Sequence, residues 1–573
     1  MSRSGSLSDL LRKVISRVIN SIRFRLAAKF RRNTHVAAVV EREKLDLSLL
    51  PVEFDPDLYL KTNPDLGPVD PVEHFIKYGR HEVWRPYSLP GIHLSKVRAM
   101  NPEWETLLVV SHEASRSGAP ILALDLVQRL SGRYNVVVLL LGGGPLLSAF
   151  EEAAVVLVEG FRIKGNPEYS GQVVEFLNKK FNFKFALVNS LESNIILESL
   201  ARNFIHTTYL IHEFASSYPN STALLTDAIM WAGKLVFSAA LTLENAIESL
   251  PELKSAAPLI MPQGRCLLPE QQNNERQSLE ESESLRKMIR PEGDTERKFV
   301  VLGAGYVNFR KGVDLFIQCA IKAMLAPGGE KFRFVWIGKG HDPQLEGGYS
   351  VYLADQINRS GLHDRFLMLG ETSVINAAYA EADALFISSR LDPLPNVAID
   401  ALMMHIPVIC FDKASGIADF LDTCGLHEAC VADYLDVDSA FQKLSALASS
   451  RTFHEQVANQ SFEASKTYFD ADKYAGQLER LGVEGHENAR QEKQDVTTIL
   501  DSGLFCSAGG NANAQDVQDY VRGSARGINP QRLHVNFRAD AYLAEHGVAK
   551  AGADPFADYI RAGRPQGAWN ESE

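Results

Sequence analysis

The sequence predicts an α/β protein: two Rossmann-like domains facing a cleft, with a small helical module at each end. Three observations predict it. Short β-rich runs alternate with helical patterns in two successive blocks, which is the mark of βαβ units and parallel sheets. Two stretches, one near each end, repeat a common motif. The chain has 573 residues, 45% hydrophobic and 23% charged. That suits several globular domains and excludes a disordered or fibrous chain.

Residues 1–46 read as a basic amphipathic arm. Residues 1–35 hold nine Lys/Arg against the single acid Asp9, so the net charge of −12 leaves −20 for the rest. Leu11, Val14, Ile15, Val18, Ile19 and Ile22 recur at helical spacing, with Arg12, Arg17 and Arg23 between them. A cationic amphipathic helix suits an anionic membrane surface. The alternative is a mobile leader or a helix packed on the protein's own body. An acidic body without a basic patch argues against nucleic acid as partner. No apolar run approaches the ~20 residues of a spanning helix, the longest being Val136 to Leu141. No secretory signal is expected. The six cysteines form no C-x-x-C pair, so neither a zinc site nor a disulfide framework is expected and a reducing compartment fits. The expected location is cytoplasmic, peripheral at the inner face of the cytoplasmic membrane.

Residues 47–99 and 531–573 read as two copies of one helical module. Phe54, Asp57, Tyr59, Leu60, Asp70-Pro71, Phe75, Gly79 and Arg80 match Phe537, Asp540, Tyr542, Leu543, Asp554-Pro555, Tyr559, Gly563 and Arg564. Asp-Pro opens the second helix of each hairpin and Gly ends it. Two copies are too few for a solenoid; docking on the body or on a partner chain, including a homodimer, is their expected role.

The first α/β block covers residues 100–269, with strand-like runs at 106–110, 135–141, 155–158, 185–189, 207–211 and 234–237. Residues 270–297, rich in Glu, Gln, Asn and Arg, read as an exposed connector or an inserted loop. The second block, 298–482, has runs at 298–303, 333–337, 366–369, 384–387 and 407–411, and a long final helix at 452–482. Residues 483–530 read as a weakly structured linker. Two such sheets imply two domains facing a cleft.

Four stretches suit chemistry. At Ser389 to Ile409 the strand-like run 384–387 leads into a Pro-containing loop, with a helix starting near Asn396. Asp392 then lies at the carboxyl edge of the sheet, where open α/β folds bind ligands. The N–H groups of Asn396 and Val397 face an anion with help from the helix dipole. Asp400, one turn on, suits a ribose diol. The plain alternative is a capped helix with solvated acids. Leu302 to Phe316 follows a strand and opens a helix, and Arg310 and Lys311 suit a diphosphate without a metal; a surface turn is the alternative. Ser111 to Pro120 carries Gly118 into a helix, again a place for phosphate or sugar. Tyr209 to Phe214 puts His212 just past a strand, although a lone histidine is more often structural. Two D-x-D patterns, Asp55-Pro-Asp57 and Asp470-Ala-Asp472, follow no buried strand and read as capping or surface residues rather than metal ligands.

In this order the motifs of residues 105–475 resemble the retaining family 4 glycosyltransferases of the twin-Rossmann GT-B fold, of the bacterial surface-polysaccharide type. The resemblance implies an acid-x7-acid pair, usually two glutamates, here Asp392 and Asp400. The first contacts the donor sugar's hydroxyls; the second binds the ribose. Tyr306 stands where the family often has Arg, so Arg310 takes that role beside Lys311. His212 matches the histidine that reaches the donor sugar, Gly118 the N-terminal loop glycine, and Glu371 follows the strand where the base often binds. The end modules resemble segments that flank bacterial polysaccharide glycosyltransferases.

The resemblance implies transfer of a sugar from a nucleotide-diphospho-sugar to a glycan or lipid-linked acceptor, with retention, no metal and no other cofactor. His212 and Asp392 would act at the sugar. Donor-binding roles fall to Gly118, Arg310, Lys311, Glu371, Asn396, Val397 and Asp400. Retention is expected by a same-face path, although a general base or a covalent nucleophile is equally compatible with the residues. The alternatives are a non-catalytic GT-B scaffold, which the two Asp-for-Glu exchanges would permit, and a protein O-glycosyltransferase. A twin-Rossmann epimerase is another; a phosphorylase would need a pyridoxal-phosphate lysine motif, and none is seen.

Overall fold

The computed structural model describes residues 45–82, 84–266, 275–291, 297–345, 348–362, 365–504, 506–507, 510–511, 513–527, 537–546, 553–567 and 569. The basic arm expected at 1–35 lies outside them. The chain divides into two units, Met1–Tyr87 and Ser88–Glu573.

In the first unit, helices Pro56–Thr62 and Pro71–Lys77 form the expected hairpin. Asp55 and Asp70 cap them, accepting from the Leu58 and Glu73 N–H groups at 2.8 Å each. Asp55 of the first D-x-D is thus a capping residue. Phe54, Tyr59 and Phe75 form a small core. Gly79 is required by close approach, because a Cβ there would run into the Tyr59 hydroxyl.

The second unit opens on a strand where the helical module was expected to continue. β1 (His93–Lys96) pairs antiparallel with β4 (Val156–Glu159). Its polar residues hide the strand in composition, but Leu94 is buried on one face as alternation requires. The sheet continues through β2 (Thr106–Ser111), β3 (Asn135–Leu140), β5 (Phe183–Asn189), β6 (Thr207–Ile211), β7 (Lys234–Phe237) and β8 (Leu259–Ile260). Its order is β1-β4-β3-β2-β5-β6-β7-β8, and apart from β1 its pairs are parallel. The second sheet holds β9 (Phe299–Ala304), β10 (Phe332–Ile337), β11 (Phe366–Leu369), β12 (Ala384–Ile387), β13 (Val408–Phe411) and β14 (Val431–Ala432). Its order is β11-β10-β9-β12-β13-β14, all parallel. The Val/Leu/Phe runs of both sheets are buried from both sides, as parallel strands between helices must be.

Three expectations are corrected here. The connector over 270–297 contains a helix, Glu275–Ile289, whose Leu285 and Ile289 enter the second core. Glu, Arg and Gln are good helix formers, so its polar composition disguised a helix with one apolar stripe. The final helix over 452–482 is two helices, Arg451–Tyr468 and Ala471–Ser502, broken at Phe469–Asp470. Asp470 of the second D-x-D caps the latter, accepting from the Lys473 N–H at 2.9 Å. That helix runs on through the expected linker, and a further helix, Ala514–Ala525, follows. Two glycines at the start of that stretch are packing residues: a Cβ on Gly482, the last residue of the expected helix, would enter the Phe185 ring, and one on Gly485, within the expected linker, the His206 ring.

The Ala514–Ala525 helix is fixed by arginines. Arg522 donates to the carbonyls of Met230 (3.2 Å) and Trp231 (3.1 Å), and Arg526 to those of Ile229 (2.7 Å) and Ala232 (2.9 Å). These cap the carboxyl end of helix Ser221–Trp231, where a cation meets the negative pole of the dipole. The second hairpin, Ala539–His546 and Pro555–Arg561, packs Tyr542, Phe556, Tyr559 and Trp569 against Val496, Ile499, Val517 and Val521. Among the described residues no helix is long and apolar enough to cross a membrane.

Candidate active site between the two sheets

Each sheet has one point where the chain reverses its direction of winding. In the second sheet the chain builds β9, β10 and β11 outward, then returns to place β12 on the other side of β9. In the first it builds β2, β3 and β4, then returns to place β5 on the other side of β2. Loops leaving the carboxyl ends of such neighbouring strands part and open a crevice. The chemical residues collect at these two points.

At the β9/β12 point, the loop after β9 ends in Arg310-Lys311-Gly312 and the loop after β12 carries Ser388 to Pro395. Gly312 has φ +65°, and a Cβ there would run into the Ser388 carbonyl. Only glycine lets the two loops lie this close. Lys311 Nζ then reaches Asp392 Oδ2 at 2.6 Å. Arg310 donates to the Leu391 carbonyl at 2.7 Å and stands 3.5 Å from Asp392 Oδ1. The Ser389 hydroxyl donates to Asp392 Oδ2 at 2.9 Å. Behind them Arg390 grips Asp314 with both terminal nitrogens, at 2.9 and 2.8 Å, and lies 3.8 Å from the centre of the Phe309 ring. Asp392 is only 5% exposed. Burial alone would raise its carboxyl; Lys311 and Arg310 outweigh that and hold it below the usual carboxylate range.

Helix Asn396–Leu402 starts beside this corner, so the N–H groups of Asn396 and Val397 have no acceptor within the helix. Asp400 lies one turn in and accepts from Arg265 Nε at 2.9 Å. Burial lifts the Asp400 carboxyl above its usual value in spite of Arg265.

At the β2/β5 point, helix Gly118–Leu130 opens directly on Gly118. A Cβ on Gly118 would stand 3.8 Å from Asn396 Nδ2, so the two halves meet here. Asn189, at the end of β5, donates from Nδ2 to the Ala119 carbonyl at 2.7 Å and joins His212 Nε2 through Oδ1 at 2.8 Å. Its amide nitrogen being committed to a carbonyl, its oxygen must accept, so His212 carries its proton on Nε2. Burial, with His112 nearby, depresses His212 to about 4. It is neutral at ordinary pH.

Arg310, Lys311, Asp392, Asn396 and Val397 therefore share one corner, Gly118 abuts it, and His212 is tied through Asn189 to the residue after Gly118. Asp400 is turned to Arg265. Glu371 stands apart: it is exposed past the end of β11, the edge strand, with β10 and β9 between it and β12. Sequence reasoning missed Asn189, His112, Arg265 and Gln263, whose Nε2 donates to Asn396 Oδ1 at 2.9 Å. Asn189 carried a findable signal, since it ends β5, the strand beside the one that precedes His212, whereas His112 follows β2 on the far side of β5. Gln263 and Arg265 carried none. A separate hollow of about 510 Å³ takes in Ile260, Met261, Phe420, Tyr468, Asp470 and Tyr474 and none of the candidate donor-site residues.

Residues 296–450 match the family model described as glycosyl transferases group 1. No curated protein matches the sequence. Among solved structures the chain is similar to Alr3699/HepE of Anabaena in complex with UDP and glucose, at 15% identity and a TM-score of 0.52. That likeness covers 65% of this chain and 98% of that one. The same protein in complex with UDP-glucose gives the same values. A glycosyltransferase from Rickettsia africae ESF-5 is similar at 13% identity and a TM-score of 0.50, over 67% of this chain and 99% of that one. At such identities the likeness establishes the fold, which is GT-B, and the second sheet with its helices carries the match to the group 1 glycosyltransferase model.

Proposed function

We propose that the chain is a retaining glycosyltransferase that moves a sugar from a nucleotide-diphospho-sugar to a glycan or lipid-linked acceptor without a metal ion. The observation that carries this reading is the convergence of Lys311 and Arg310 on Asp392 at the β9/β12 point, with Asn396 and Gly118 alongside. The UDP and UDP-glucose complexes of HepE lend support for a nucleotide-sugar donor, as does the group 1 family match.

Breaking the bond between the anomeric carbon and the diphosphate leaves negative charge on the phosphate. Lys311, Arg310 and the N–H groups of Asn396 and Val397 are the donors placed to meet it, which is the task a divalent ion would otherwise perform. Asp392 now neutralises one of those two cations. A diphosphate takes over Lys311 and Arg310 and leaves Asp392 to receive donor-sugar hydroxyls. His212, neutral and held by Asn189, positions the sugar rather than attacking it. On the same face, the acceptor oxygen bonds to the anomeric carbon as the phosphate leaves, and the acceptor's proton passes to a phosphate oxygen. Closure of the two halves excludes water from the cationic sugar. The strongly basic arm, residues 1–35, supports an acceptor presented at an anionic membrane surface.

A donor screen tests the reading. A nucleotide sugar that binds only the folded chain raises its melting temperature, by the equivalent of about 2.7 kcal/mol at a hundred times Kd. The same donor should yield nucleoside diphosphate when acceptor is present, and Asp392→Ala should abolish that release. A folded chain that no common nucleotide sugar stabilises refutes the proposal.

A further inference from the structure

After β8 the chain leaves the first sheet through residues 261–266, and this connector touches the donor-side residues from the first sheet's side of the hinge. Gln263, 5% exposed, donates from Nε2 to Asn396 Oδ1 at 2.9 Å and to the Leu394 carbonyl at 3.3 Å. Two residues on, Arg265 Nε donates to Asp400 Oδ1 at 2.9 Å. The Arg265 N–H donates to the Phe469 carbonyl at 3.0 Å, and a Cβ on Gly264 would collide with Ala471. Three consecutive residues are thus held between helix Asn396–Leu402 and the return crossover at 469–471.

These contacts fix the direction of the site's polar atoms. The Leu394 carbonyl only accepts, so the Gln263 atom facing it is the amine. The Asn396 atom facing that amine is then the carbonyl Oδ1. Asn396 Nδ2 is left on the side of Gly118, towards the crevice. Gln263 Oε1 is buried and has no partner among the described residues, an acceptor left open beside Asn396. Arg265 occupies one oxygen of Asp400 and leaves the other.

We propose that Gln263 and Arg265 are positioning residues of the donor site: Gln263 turns the Asn396 amine toward the diphosphate, and Arg265 holds Asp400 so that its second oxygen accepts from the ribose. The inference rests on the donor-binding reading above. It adds that the segment joining the two sheets sets the alignment of the nucleotide's contacts, so donor binding and the relative placement of the sheets are one equilibrium. The groups facing Asp400 are Arg265, the Tyr379 phenol and the Cys266 thiol. Burial keeps the last two neutral, so Arg265 supplies the positive charge.

The test is calorimetric titration of UDP and of GDP into the full-length chain at about pH 6 and about pH 8. Arg265→Ala should weaken the diphosphate that binds wild type by about ten-fold or more, the worth of one charge-assisted hydrogen bond. The loss should be larger at the lower pH, because burial without Arg265 favours the protonated Asp400 carboxyl, a weaker acceptor for the ribose. Arg265→Lys should restore most of the affinity. In an Asp400→Asn background Arg265→Ala should cost nothing further. Gln263→Glu, which sets an acceptor against Asn396 Oδ1, should weaken binding more than Gln263→Ala. Wild-type affinity in Arg265→Ala at both pH values overturns the proposal, as does an equal loss in the Asp400→Asn background. Failure of wild type to bind either of these, or any other nucleoside diphosphate of the common nucleotide sugars, overturns the donor reading itself and this inference with it.

Discussion

Replacing Lys311 with alanine should reverse the sign of the pH dependence at the centre of the site. In the wild type the folded-state pKa of Asp392 is depressed. A depressed carboxyl stabilises the fold above its unfolded pKa, and that stability is lost as pH falls through the folded value. Lys311→Ala removes the 2.6 Å partner and leaves Arg310 at 3.5 Å and the Ser389 hydroxyl. With Asp392 only 5% exposed, burial then dominates and the folded-state pKa rises above the unfolded one. The folded chain now prefers the proton, so the carboxylate destabilises it near neutrality, and acidification relieves the penalty. Removing one partner of a fully buried pair costs about 3–5 kcal/mol. The remaining arginine and hydroxyl reduce this to about 2 kcal/mol, or roughly 4–8 °C in melting temperature for a domain of this size. Melting curves of wild type and variant from about pH 8 to about pH 4 check it. The two should converge as pH falls. A gap that stays constant, or widens on acidification, refutes the claim that Lys311 is what keeps Asp392 ionised.

Three further outcomes follow from the same contacts. Asp392→Asn keeps the shape but removes the competitor for Lys311 and Arg310, so nucleoside diphosphate should bind about three- to ten-fold more tightly while sugar transfer falls; weaker diphosphate binding, measured by calorimetry, contradicts the partner-exchange picture. Asn189→Asp places a carboxylate on His212 Nε2 and should raise that histidine well above its present value of about 4, an NMR titration being the readout; an unmoved titration shows that Asn189 does not set the protonation state. Arg522→Ala uncaps helix Ser221–Trp231 and leaves Glu492, now 3.2 Å from Arg522, without that charge, at a cost of about 2–3 kcal/mol. Limited proteolysis should then release the chain beyond residue 502 before the two sheets are cut, and an unchanged digestion pattern rejects the docking role.

The features legible in the sequence were those whose physics is local. Parallel strands covered on both faces must be apolar throughout, so runs such as Val136 to Leu141 identify themselves. Asp-Pro at a helix start has a capping geometry of its own, and it marked the second helix of both hairpins. The strand–loop–helix junctions at Gly118, Lys311 and Asp392 were legible because glycine and charge concentrate where a strand ends at a crevice. What escaped depended on distant partners. β8 and β14 have two residues each, too few for a period. Gly485 suggests a linker until His206 is seen to occupy the space a side chain would fill. Gln263 and Arg265 lie more than 130 residues from Asn396 and Asp400, and no spacing in the sequence announces that pairing.

The same limit bears on the charge of the site. Arg310 and Lys311 in a loop suggest two free cations waiting for a diphosphate. The fold sets Asp392 between them, 2.6 Å from one and 3.5 Å from the other, so the corner carries one net positive charge before any ligand arrives. On the proposed reading, a diphosphate would therefore have to displace a carboxylate rather than enter an unopposed field. The gain in Coulomb energy would be smaller than two bare cations would give, and the difference would be stored as the ionised Asp392 left with the Ser389 hydroxyl alone. That carboxylate is buried and needs new hydrogen bonds, which sugar hydroxyls supply and a free nucleoside diphosphate does not. On the donor reading proposed above, the arrangement would favour the intact nucleotide sugar over its own leaving group, the nucleoside diphosphate that would otherwise compete for Lys311 and Arg310.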